Sequence, residues 1–261
     1  MRQTSAGVIK LLFELHEGLS RAGPGSDEAT RRAFRMIPRL SRSPVILDIG
    51  CGPGAQTLEL ARLSGGRVIG LDIHLPFLAH LMSRRREEAL SGRISLIQGS
   101  MSALGFKPGV FDIIWSEGAI YIHGFDEGLR TWRSFLKEGG VCAVSELSWL
   151  TKDPPSEPST FFSDVYPGMR TVSENLAACR KYGYNIIGHF ALPDDAWEKN
   201  YYRPLARRLK TFGSKHPDDP DALALISATR REIALFRKYS TAYGYVFYVL
   251  RKRGRQPFTR F

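Results

Sequence analysis

Val45-Ile46-Leu47-Asp48-Ile49-Gly50-Cys51-Gly52-Pro53-Gly54 is an apolar run of strand length that ends in an acidic residue and three closely spaced glycines. It predicts the first strand of a parallel sheet running into a ligand-binding turn. Glycine at positions 50 and 52 lets the backbone bend tightly and approach a ligand with no Cβ in the way, and a helical pattern follows from Ala55 to Ser64.

Two ligand classes fit that turn. Gly50-x-Gly52-x-x-Ala55 satisfies the dinucleotide fingerprint, and Asp72 lies where its ribose-binding acid belongs. The readings part at Asp48. A carboxylate beside the turn is unfavourable next to a pyrophosphate at a helix N-terminus and favourable next to a cation. S-adenosylmethionine carries a sulfonium and an ammonium and suits the site better than NAD. Here the chain resembles the class I S-adenosylmethionine-dependent methyltransferases, whose first motif, D-x-G-x-G, reads Asp48-Ile49-Gly50-Cys51-Gly52. The turn, Asp72 and the plan of the fifth strand are similar to the small-molecule branch that includes ubiquinone and menaquinone biosynthesis methyltransferases. The run Trp115-Ser116-Glu117-Gly118-Ala119-Ile120-Tyr121 looks more like a group of uncharacterised bacterial methyltransferases. The resemblance implies an α/β, Rossmann-like, doubly wound sheet of seven strands, mostly parallel with an antiparallel last strand.

The 261 residues suffice for one large α/β domain with elaborations. No apolar run approaches the roughly 20 residues that span a bilayer, and Met1-Arg2-Gln3-Thr4 opens no signal-peptide pattern, which predicts a cytoplasmic protein. Cys51, Cys142 and Cys179 lack metal-ligand spacing and read as reduced structural residues, with no metal expected. The formal charge of +11 permits an acidic small substrate, nucleic acid or a membrane surface as partner. Part of it is local, in Arg84-Arg85-Arg86 before Glu87-Glu88 and in Arg251-Lys252-Arg253-Gly254-Arg255. A homo-oligomer is left open.

Residues 1–44 read as a helical lid, with one helix around Val8–Leu15, a break at Gly23-Pro24-Gly25 and a second helix capped by Ser26. Residues 45–261 then form the domain implied by the resemblance. Strand and helix alternate: helix Ala55–Leu63, strand Arg67–Leu71 ending in Asp72, helix Pro76–Leu90, strand Arg93–Gln98 and strand Phe111–Trp115. A helix from Asp126 through Lys137, a strand Val141–Ser145, a helix Val172–Lys181 and a strand Tyr184–Phe190 follow. Residues 192–243 read as a helical insertion of two helices, Asp194–Phe212 and Asp219–Ser240, before a last strand Gly244–Leu250.

The family motif carries over to cofactor-binding positions Asp48, Gly50, Gly52, Gly54 and Asp72, whose carboxylate would accept the ribose hydroxyls. Ile73 and Met101 are candidate adenine walls. Ser100 stands where the family often has an acid facing the adenine amino group, which puts that contact in doubt. Methyl transfer is an in-line displacement that needs alignment and a dry site more than catalytic side chains. Where the nucleophile must lose a proton, Glu117, Tyr121 and His123 are the catalytic candidates, Glu117 doubling as a cofactor contact. Tyr121, Glu146, Trp149, Tyr166, Trp197 and Tyr201 are candidates for the substrate pocket, of which Glu146 could also serve as base. The aromatics among them either wall that pocket or pack on one another. The expected acceptor is a small planar or apolar molecule, with an acidic group as an option. Ser116-Glu117-Gly118-Ala119 lacks the Asn/Asp-Pro-Pro-aromatic run of RNA and DNA amino-methyltransferases, which counts against nucleic acid. A protein arginine methyltransferase with Glu117 and Glu127 as its glutamate pair, and a non-catalytic cofactor-binding module, are the other readings.

Overall fold

Because β1 (Val45–Ile49) lies between two layers of helices, its apolar side chains are buried on both faces of the sheet rather than alternately. The computed structural model describes residues 5–38 and 40–254, so Met1–Thr4 and Arg255 of the C-terminal basic run lie outside the described residues. Two helices precede β1: α1 (Ala6–His16), and α2 (Asp27–Arg35), whose first turn is capped by the Ser26 hydroxyl as expected. After the glycine turn come α3 (Ala55–Ser64), β2 (Arg67–Asp72), α4 (Leu75–Glu87), β3 (Ile94–Gln98) and β4 (Phe111–Ser116). Then follow α5 (Ile120–His123), α6 (Phe125–Trp132), β5 (Leu136–Trp149), α7 (Ser156–Val165), the short β6 (Arg170–Thr171), α8 (Val172–Lys181) and β7 (Tyr184–Ala191). The chain ends in α9 (Asp194–Trp197), α10 (Arg203–Lys215), α11 (Pro220–Tyr239) and β8 (Tyr243–Lys252).

The sheet runs β3-β2-β1-β4-β5-β8-β7, with β6 set beside the end of β5. Pairings from β3 to β5 are parallel, and β8 is antiparallel to both its neighbours, so the expected seven-stranded plan holds. One edge therefore gathers the carboxyl ends of β1, β2, β4 and β5, where an open α/β sheet takes its ligands. Along β8, Tyr243, Tyr245, Phe247 and Val249 enter the core shared with α1, α2, α3, α10 and α11, while Val246, Tyr248 and Leu250 enter the opposite core with α6 and α8.

Several boundaries differ from expectation, three of them with a clear physical reason. The helix predicted through Lys137 stops at Trp132, and Leu136 already pairs with Phe111 in the sheet. Strand β5 does not end at Ser145 but continues to Trp149, because Glu146–Trp149 find partners in Val246–Tyr243 of β8. The helix predicted over Asp194–Phe212 is interrupted by a π turn at Glu198–Tyr202. Pro204 follows one residue after it; lacking an N–H and clashing with the carbonyl four residues back, it widens the hydrogen-bond pattern there.

Candidate active site

The glycine turn is fixed from both sides. Gly50 and Cys51 donate their amides to the Leu71 carbonyl at 2.8 and 3.0 Å, tying the turn to the end of β2. Gly54 has φ of 91°, and a Cβ there would lie 2.3 Å from Leu81, so only glycine lets α3 start this close to α4. Beneath the turn Asp48 is fully buried. One carboxylate oxygen accepts the Thr57 hydroxyl at 2.6 Å, and the other has no partner among the described residues. Burial pushes its carboxyl up to about 7 against the pull of the Thr57 hydrogen bond, and the charge of Glu117 adds to the rise.

Asp72, at the end of β2, accepts the Gly52 amide at 2.8 Å with one oxygen and the His74 amide at 2.9 Å with the other. Each oxygen keeps a lone pair free for a further donor. Ile73 beside it is 59% exposed, and Met101 is half-buried with its methyl reaching toward Gly50. Ser100 is exposed in a turn, its hydroxyl accepting the Ser102 amide at 3.2 Å.

The loop after β4 carries a carboxylate held by three donors. Glu117 accepts the Trp115 indole N–H at 2.9 Å and the Thr30 hydroxyl at 2.7 Å on one oxygen, and pairs with Arg21 at 3.2 Å through the other. Arg21 is itself buried and pairs with Asp27 at 2.7 Å. The segment between α1 and α2 thus crosses the glycine turn, with Ala22 facing Gly52. Sequence reading missed Arg21, Thr30 and Thr57, since a lone arginine or threonine carries no pattern. His123 is held elsewhere: its ring nitrogens contact the Ser102 hydroxyl at 2.9 Å and the Thr131 hydroxyl at 3.3 Å, and its ring stacks on Trp132.

Beyond Gly118 lies a cluster of aromatic side chains. Tyr121 and Tyr166 meet edge to face at 5.9 Å, and Tyr166 donates its hydroxyl to one oxygen of the buried Glu146. The other Glu146 oxygen is buried without a partner among the described residues. Burial pushes the Glu146 carboxyl up to about 8, only partly offset by the Tyr166 hydrogen bond and the more distant charge of Arg170. Tyr245 from β8 packs over Gly118, and its phenol is pushed up by burial and by the charges of Tyr121, Glu146, Tyr201 and Glu232. Tyr201 donates to Nε2 of His16 at 2.9 Å, an assignment fixed because Nδ1 of that ring donates to the Leu12 carbonyl at 2.8 Å. Glu232 accepts the Tyr202 hydroxyl at 2.9 Å. Trp197 joins this cluster through Tyr245, against which it tilts at 5.3 Å, and stacks on Phe236 at 4.3 Å, whereas Trp149 packs on Phe162 and Tyr243. Tyr245 and Glu232 also escaped sequence reading, although the period-two tyrosines at 243 and 245 are the signal that could have found the former.

Comparison with known proteins agrees with this geometry. The family profile described as a methyltransferase domain matches residues 46–140, from β1 into β5. The demethylmenaquinone methyltransferase of Mycolicibacterium gilvum is 32% identical over 199 residues, covering 72% of this chain and 76% of that protein. The chain belongs to the class I S-adenosylmethionine-dependent methyltransferases. Within that family it is also 26% identical over 182 residues to a sterol 24-C-methyltransferase of Neurospora crassa, covering 65% of this chain and 47% of the relative, so it spans about half the length of the fungal enzyme. A family member of solved structure, an S-adenosylmethionine-dependent methyltransferase from Geobacter sulfurreducens in complex with S-adenosyl-L-homocysteine, superposes with a TM-score of 0.78 at 19% identity, covering 94% of this chain and 98% of that one. Among the described residues no helix is long and apolar enough to cross a membrane.

Proposed function

We propose that this chain transfers the methyl group of S-adenosylmethionine to a small, largely apolar acceptor. The observation that carries the reading is the buried oxygen of Asp48 beneath the glycine turn, which has no donor among the described residues and which a cationic ligand would complete. The relatives support the acceptor class, since demethylmenaquinone and sterols, the acceptors in their names, are apolar small molecules. When bound, the cofactor supplies a methyl group on a positively charged sulfur, open to in-line displacement.

The protein's own residues bind, orient and exclude water. Asp48 holds the positive end of the cofactor, and the free lone pairs of Asp72 take the ribose hydroxyls. Ile73 and Met101 flank the adenine. Residues 1–44 act as a lid, whose latch is the contact of Arg21 and Thr30 with Glu117; this supports a role for Glu117 in closing the site rather than in proton transfer. Tyr121 and Glu146 face the acceptor. The absence of an Asn/Asp-Pro-Pro run after β4 supports a small molecule over nucleic acid.

Calorimetry with S-adenosylmethionine, S-adenosylhomocysteine and NAD tests the cofactor. Binding of both sulfur ligands and not of NAD is expected, and tighter binding of NAD would refute the reading.

A further inference from the structure

Helix α4 is apolar on two opposite sides. Phe77, Leu78 and Leu81 are buried, while Leu75, Ala79, Met82 and Arg86 are exposed, Leu75 by 57% and Met82 by 37%. At about 100° per residue those four positions fall in one row about 60° wide along the outer face of the helix, and Glu87 lies well to one side of it. The apolar surface continues past the start of the helix. Ile73 is exposed beside Asp72, and Phe13 of α1 stacks on His74 at 4.2 Å, which brings the exposed Ile9, one turn earlier in α1, to the same end of α4. Single exposed apolar side chains are ordinary on a protein surface, but an aligned row that starts at a ligand site marks a surface for a partner. The acids nearest the row are engaged: Glu17 pairs with His74, Glu88 with Arg62 and Arg84, and Glu87 accepts the Ser83 hydroxyl at 2.8 Å. Arg86 and Lys10 are exposed and have no ion-pair partner among the described residues.

We propose that this face rests on the surface of a bilayer containing anionic lipid, with Ile9, Leu75, Ala79 and Met82 at the boundary of the acyl chains and Arg86 and Lys10 among the headgroups. Charge selects the occupant. A second copy of the chain would bring together two bodies of net charge +11, whereas an anionic surface attracts each of them. An apolar row flanked by basic side chains holds a helix in the plane of the interface, and among the described residues no helix is long and apolar enough to cross it. The role of the contact rests on the reading of an apolar acceptor given above. Such a molecule dissolves in lipid, and docking through a row that starts three residues after Asp72 sets the rim of the site against the layer that holds it.

The test is cosedimentation with vesicles of phosphatidylcholine alone and of phosphatidylcholine with about 30% phosphatidylglycerol, at low and at high salt. The wild-type protein is expected to bind the anionic vesicles about tenfold more tightly than the neutral ones at low salt, and sodium chloride should shrink that advantage. Leu75→Gln combined with Met82→Gln removes the apolar contact and should weaken binding to the anionic vesicles about tenfold. Arg86→Gln should weaken it about fivefold at low salt and little at high salt. Both variants change exposed side chains, so their affinity for S-adenosylhomocysteine should match the wild type; a variant that loses it has misfolded, and the other then decides. Wild-type protein that stays in solution beside anionic vesicles, or vesicle binding that every folded variant retains in full, overturns the inference. So does a wild-type dimer in analytical ultracentrifugation that the double variant dissociates, which would assign the face to a second copy. Each of these leaves the methyltransferase reading standing, whereas a wild-type protein that binds vesicles and not S-adenosylhomocysteine overturns that reading and leaves the docking surface in place.

Discussion

Asp48 shows how one buried atom links stability to ligand binding. Its carboxyl is raised from 3.8 to about 7, so the folded state holds a proton that the unfolded chain releases above about pH 4. Its stabilising contribution is therefore complete below that pH and is lost as the pH rises through 7. Cofactor binding runs the other way, since the ammonium that S-adenosylhomocysteine shares with S-adenosylmethionine needs the carboxylate. The affinity for S-adenosylhomocysteine should rise by up to about tenfold per pH unit from pH 5 to 7 and level off above, with proton release in the same window. Asp48→Asn should bind about 1.5–3 kcal/mol more weakly, the range for a hydrogen bond to a charged group, and lose the slope over that range. Calorimetry at several pH values, in buffers of different ionisation enthalpy, measures both effects. A slope unchanged in the variant would assign the titration to another group.

At the scale of elements, the contact of α2 and its preceding loop with the loop after β4 passes through Glu117. In Glu117→Gln the amide can still accept from Thr30 and Trp115, but it no longer pairs with Arg21. Removing one partner of a buried ion pair costs about 3–5 kcal/mol, and the remaining pairing of Arg21 with Asp27 reduces that here. The expected result is hydrogen exchange about ten- to a hundredfold faster in residues 17–35, with the amides of β1 and β4 unchanged and protection largely restored by S-adenosylhomocysteine. Equal acceleration in the sheet would make Glu117 a general stability residue instead of a latch. This contact was not legible in the sequence, whereas the strands it bridges were. The alternation of apolar runs with glycine and acidic turns repeats over short windows, so β1, α3, β2, β4 and α8 could be read locally. The extension of β5 over Glu146–Trp149 depends on β8, about a hundred residues away, and the π turn before Pro204 depends on how α10 must meet its neighbours. Within the candidate site, Gly50, Gly52 and Gly54 were legible because their positive φ demands glycine, and Asp48 and Asp72 were picked out by their places near the ends of β1 and β2. Arg21 and Thr30, which meet Glu117, and Tyr245, which faces Gly118, were not, because only the folded chain brings them there.

Over the whole molecule, the N-terminal helices, the segment from α9 to α11 and the sheet are not separate bodies. Leu11 and Leu15 of α1, Leu205 and Leu209 of α10, Phe236 of α11 and Phe247 of β8 belong to one continuous apolar core, and α1 packs on both α10 and α11. N-terminal helices that share their core with the rest of the chain cannot unfold far without exposing it. Calorimetry should therefore record a single unfolding transition for the entire chain. At a hundredfold excess over its dissociation constant, S-adenosylhomocysteine adds about 2.7 kcal/mol, which for a chain of this size raises that transition by about 5–10 °C. Leu15→Ala, in the middle of α1 and fully buried, should lower it through a loss of about 2–5 kcal/mol without splitting it. It should also weaken ligand binding, because α1 supports the segment that crosses the glycine turn. Two resolved transitions, with the lower one indifferent to ligand, would show instead that the N-terminal helices are an independently melting appendage. Closure would then have to come from the loops at the carboxyl ends of the strands alone.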